Sequence, residues 1–162
     1  MNLSGKVLIF GGLALAALGM LYGLSYAVFT EHQTLDEMGG SLAHGFGYVA
    51  TRHLDDAQAA ITKYGETKYD YVRQVDAHSH WVGLAMLMIA LGVAFDRVAF
   101  AESARRWLAW SLVAGSTMFP LGVMLQTMHH GSAVATTLAV VGSVLITIAL
   151  AAVAVGFGRQ SA

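Results

Sequence analysis

Seven histidines are the side chains of this sequence best suited to do chemistry: His32, His44, His53, His78, His80, His129 and His130. Neutral imidazole ligates iron, copper and zinc. Two of them stand in "VDAHSHWVGLAMLMIALGVAF", residues 75–95, at the mouth of an apolar run. Ionisable groups at such an edge are costly and usually functional. His78 and His80 lie two residues apart, about 200° around a helix, so a regular helix aims them at different surroundings. One is expected to face a helix bundle, the other water, the lipid boundary or a neighbouring subunit. His78 shares its stripe with Val82, Ala85 and Ile89, whose modest side chains suit a flat macrocycle. His129 and His130 are adjacent, as in some copper sites. His44 sits among glycines at 39, 40, 45 and 47, which permit close backbone approach to a ligand or simply a turn. The candidate cofactor-binding residues are thus His78, His80, His44, His129 and His130. For each, the plainer reading is a hydrogen-bonded interfacial side chain. The methionines at 86, 88, 118, 124 and 128 read as gap-filling core rather than ligands.

The elements that carry these residues are membrane spans. The chain has 162 residues, 56% hydrophobic and 12% charged, against about 25% charged in soluble domains. A helix crossing the hydrocarbon needs roughly 20 apolar residues. Four stretches meet that need, at about 6–29, 77–96, 107–128 and 132–157. The expected fold is all-α: a single transmembrane domain over 1–162, a four-helix bundle with a partly helical outer loop at 30–76. The first apolar run is too long for a cleaved signal sequence, and Thr30-Glu31-His32-Gln33 is a poor cleavage site.

Charge sets the orientation. With both termini in the cytoplasm, the short inner segments hold Lys6, Arg97, Arg105, Arg106 and Arg159, while the outer loop is long and acidic. The positive-inside rule weighs short segments, so it favours an inner-membrane protein with the histidine-rich side outward. Absence of cysteine excludes disulfides, thiolate metal sites and c-type haem attachment. A net charge of -1 with no basic run gives nucleic-acid binding no electrostatic basis. A transporter is disfavoured, because no charged residue lies deep in a span.

Within the outer loop, "MGGSLAHGFGY" reads as irregular, "TRHLDDAQAAITKY" as a short helix ending at Gly65, and the stretch from Glu66 as a second helix running into span two. In span one, Gly19-Met-Leu-Tyr-Gly23 is a small-xxx-small spacing. It serves close packing inside one bundle or, on the sharper reading, a subunit interface. Pro120 predicts a kink in span three, and Ser132 a cap for span four.

Over "AHSHWVGLAMLMIALGVAF" the chain resembles styrene-oxide isomerases, small four-helix membrane proteins that bind haem b and assemble as trimers. The family has Ala-His-Ser at the outer start of its second helix, followed by a Gly- and Met-containing apolar run. The resemblance implies haem b, with His78 as the axial ligand of its iron, and a homo-oligomer. The chain departs from the family at Leu84, where an asparagine is usual, and in a third span without aspartate or tyrosine. Its loop before span two is also longer. Haem binding is therefore the expectation, with haem-dependent isomerisation left open because the polar residues that the family uses for it are not matched. Three readings compete: a haem b protein with an open iron face, a redox or accessory subunit of a larger membrane complex, and a copper- or zinc-binding protein using the outer histidines.

Overall fold

The computed structural model describes residues 2–159. Five α-helices make up almost all of it, with no strand among the described residues. They are α1 (Leu3–Phe29), α2 (Glu31–Ala50), α3 (Leu54–Ala94), α4 (Glu102–Met128) and α5 (Ala133–Gly158), with one 3-10 turn at Phe95–Arg97. Helices α1, α3, α4 and α5 are each long and apolar enough to cross a membrane. The all-α architecture with four spans is as the sequence reading expects.

The segment between the first two spans differs from expectation. Residues 38–48 are not irregular; they belong to α2, which is helical from Glu31 to Ala50. Their glycines cost helix propensity, about 1 kcal/mol each relative to alanine, but tertiary packing overrides it. Ser41 and Gly45 are buried in the α2–α3 seam, and a Cβ at Gly45 would meet Ala60 and Ile61 at ordinary contact distance. Nor does a helix end at Gly65. Helix α3 runs unbroken for 41 residues, through Gly65 and into the span. At 1.5 Å per residue it is roughly 60 Å long. The segment between the first two spans is thus a helical hairpin, α2 folded against the N-terminal half of α3.

The hairpin turn is a Schellman-type cap. Arg52 N–H donates to the Val49 carbonyl at 3.1 Å and His53 N–H to the Tyr48 carbonyl at 2.9 Å. Arg52 occupies the left-handed position, with φ 63°, where glycine is the usual occupant.

Inside the bilayer, small residues replace hydrophobic drive as the reason helices adhere. Helix α1 presents Gly12 to Ala85 and Ile89, Gly19 to Trp81 and Val82, and Gly23 to His78, while Gly92 of α3 takes Ile9. The Gly19–Gly23 spacing therefore packs within one bundle. Gly115, Gly122 and Gly142 bring α4 and α5 together at backbone distance. Helix α4 continues through the buried Pro120. Ser132 caps α5, its hydroxyl accepting from Ala135 N–H at 3.4 Å.

One end of the bundle is tied together by polar groups. Asn2 N–H donates to Asp96 Oδ1 and Ser4 N–H to Glu102 Oε1, each at 3.2 Å. Arg105 pairs with Glu102 at 3.0 Å, and Ala99 N–H donates to the Gly156 carbonyl at 3.0 Å. The start of α1, the α3–α4 turn and the end of α5 therefore share one end, and the histidines lie toward the other.

Candidate functional site

His78 is half-buried in the seam between α3 and α1. Its Nδ1–H donates to the Gly19 carbonyl at 2.8 Å, and its ring rests where Gly23 has no side chain; a Cβ there would collide with the ring. The Gly19 carbonyl can accept only if Nδ1 carries the proton. That leaves Nε2 with the imidazole lone pair, as the bond made by one ring nitrogen fixes the role of the other. Trp81 follows one turn along, 8% exposed, with its ring edge-on to Tyr22 at 5.4 Å. The Tyr22 hydroxyl and Trp81 Nε1 are both buried with no hydrogen-bond partner. Buried orphan donors are rare and mark a place where a further polar group is wanted.

The stripe expected to seat a macrocycle is not free. Val82, Ala85 and Ile89 pack against Gly19 and Gly12, so α1 fills the space beside them. The glycines that make α1 fit are the reason: without side chains, its backbone lies directly on α3. Five cavities among the described residues are lined without His78. The Nδ1–H bond leaves Nε2 with the lone pair that a metal needs, but α1 packs over the ring, and the residues present do not fit a porphyrin enclosed between α1 and α3.

The other candidate histidines are dispersed. His80 is exposed, as the 200° argument expects of one member of the pair. Its Nδ1–H donates to the Asp76 carbonyl at 2.6 Å, and its ring meets Phe119 edge-on at 4.8 Å. His44 lies on α2 beside Ser41, Tyr48 and Lys63, well away from the span. His129 ends α4, its backbone N–H donating to the Leu125 carbonyl at 3.2 Å. His130 turns to α3 instead, with Nε2 2.7 Å from Asp70 Oδ1. Among the described residues, no three His, Cys, Asp or Glu side chains gather as a metal ion would require.

Sequence reading missed the polar cavity where the hairpin meets the bundle. It measures about 360 Å³ and is lined by Tyr26, Thr34, Glu66, Asp70, Gln74 and His130, among others. Gln74 lies one turn before His78 and donates to the Thr127 hydroxyl at 2.7 Å; Tyr71 donates to Glu31 at 3.4 Å. Lys63 pairs with Glu37 at 2.7 Å, which holds its ammonium above the ordinary lysine range, first through the hydrogen bond and then through charge. Contacts between residues 40 to 60 apart in sequence leave no local signal to find them by. The regular placement of acidic and hydroxyl residues along 63–74 was the one available sign.

No family model, curated protein or solved structure matches this chain.

Proposed function

We propose that the chain is an inner-membrane protein that holds haem b through Nε2 of His78. The observation that carries the reading is the hydrogen bond from His78 Nδ1–H to the Gly19 carbonyl, 2.8 Å long. It fixes ring and tautomer in the way that second-shell acceptors do for metal-bound histidine. The resemblance over 77–95 adds the identity of the metal. Bound through His78, haem would supply a Lewis acid for a small oxygen-bearing molecule.

The chain's own contribution is orientation and donors. Gly23 admits the ring, Gly19 aims it, and the buried Tyr22 hydroxyl and Trp81 N–H stand nearby with unspent donors. Because α1 fills the Val82–Ala85–Ile89 stripe, the group is held at the margin of the bundle. In this proposal both termini lie in the cytoplasm, and the acidic hairpin faces outward. The copper or zinc reading has no comparable support, since the outer histidines do not converge.

An absorption spectrum of detergent-solubilised protein from haem-replete cells tests the proposal. His78→Ala and His78→Gln are expected to lose the Soret band, while His53→Ala, in the hairpin turn, keeps it. Glutamine retains a side-chain donor for the Gly19 carbonyl, so its variant separates lost ligation from lost helix packing. Equal pigment in His78→Gln and His53→Ala would leave His78 as a structural clasp between α1 and α3, and the proposal would fail.

A further inference from the structure

The outer hairpin carries an apolar face that neither water nor lipid accounts for. Its seam buries only Ser41, Gly45, Ala57 and Thr67, all small. The large apolar side chains point elsewhere. On α2, Leu35, Leu42, Phe46 and Val49 are exposed and fall within about 60° of one another. On α3, Leu54, Ile61, Val72 and Val75 are exposed and form a second stripe of similar width. Each stripe lies some 70–90° past the seam in the direction of its own chain. The helices run antiparallel, so both stripes emerge on the same flank. Ile61 lies within reach of a Cβ built on Gly45 of the seam, so the α3 stripe borders α2 there. Phe46 is 74% exposed, Leu54 67% and Ile61 51%.

Height rules out lipid as the cover. Leu54 precedes Ala77 by 23 residues, which places it roughly 35 Å beyond the start of the span. That is beyond the headgroups even for a tilted helix. Yet the α3 stripe does not stop at the membrane. It continues through Ser79, Gly83, Met86, Ala90 and Val93, all exposed. Within the bilayer it includes Ser79-His-Trp-Val-Gly83, a small-xxx-small spacing with open space at Gly83. The only charge on the stripe, Lys68, is drawn aside over the Tyr64 ring at 5.8 Å.

We infer that this flank packs against the same flank of a second copy of the chain, side by side about an axis along the membrane normal. A soluble partner would cover only the upper half, and a simple span only the lower. A second copy has both halves at the same heights. The flank is also complementary to itself. Bulky Phe46, Leu54 and Ile61 share it with Gly39 and Gly65, mid-helix glycines that have no atom within 4 Å of the Cβ position. Such glycines weaken a helix unless another backbone approaches them. The inference rests on the membrane placement of the spans, and it stands or falls separately from haem binding.

The absence of native cysteine makes single substitutions clean reporters. Ile61→Cys and Val72→Cys, in the full chain in native membranes under mild oxidant, are expected to give a disulfide-linked species of twice the chain mass. Ala59→Cys, at nearly the same height on another side of α3, and Ile148→Cys, 63% exposed on α5, are expected to remain single. Ile61→Glu should reduce the assembly in detergent while far-UV helicity is unchanged. No linkage at 61 and 72, linkage at 59 as efficient as at 61, or linkage of Ile61→Cys to a different protein alone would each overturn the inference. Linked but colourless protein would uphold it while removing the haem proposal.

Discussion

At the scale of single residues, helical periodicity separated His78 from His80 correctly, because positions two apart on a regular helix point about 200° apart. What periodicity could not show was the partner. The Gly19 carbonyl lies 59 residues away in sequence, and only folding brings it to the ring. His130 makes the same point with a partner 60 residues away. Asp70 raises the His130 pKa above the ordinary 6.5, chiefly through the hydrogen bond, then through its charge, with Glu66 adding to it. A raised folded-state pKa means that protonated His130 stabilises the native chain fully below about pH 6.5 and loses that contribution as pH rises through the shifted value. The melting temperature is therefore expected to fall slightly between about pH 6 and pH 8, where histidine titrates. Asp70→Asn should flatten that slope. An unchanged slope in Asp70→Asn would place the titration elsewhere. The effect is small, since both side chains are partly in water.

At the scale of elements, the four spans were legible because membrane burial demands long apolar runs, which composition displays directly. The hairpin was less so. Gly39, Gly40, Gly45 and Gly47 suggested a loop, and Gly65 an end, because propensity counts each glycine as a break. The structure instead uses Gly45 as a contact point and carries α3 through Gly65 as part of one long rod. Two substitutions test these elements. Arg52→Gly removes a side chain from a left-handed position and should stabilise the hairpin by about 1 kcal/mol, read as a higher melting temperature. Gly12→Val drives a branched side chain into Ile89 and the Ala85 backbone. It is expected to cost about 1–3 kcal/mol through overpacking, with α1 separating from α3 in the same unfolding measurement. The pairing of α1 with α3 through Gly19 and Gly23 was half legible: the spacing announced close approach, but not which helix approaches.

At the scale of the whole molecule, an even number of spans puts both termini on one side, and the ties from Asn2 to Asp96 and from Ala99 to Gly156 show that end as one surface. The proposed orientation, with that end in the cytoplasm, rests on charge. Thr51→Cys, at the hairpin turn, is expected to react with a membrane-impermeant maleimide added outside intact cells. Ser103→Cys, at the start of α4, should react only after permeabilisation. The reverse pattern would invert the orientation and place every histidine toward the cytoplasm. Helix α3 gives this arrangement a mechanical property. It crosses from lipid to water with no turn, hinge or cap, and its Val72 and Val75 extend the apolar surface beyond Ala77. Asp76 and Arg73, within one turn of Ala77, mark where the rod leaves the lipid. In a thicker bilayer the lipid must thin around the rod, because sinking by one turn would draw both charges among the acyl chains. The hairpin, continuous with the rod, then keeps its height above the headgroups whatever the membrane's thickness.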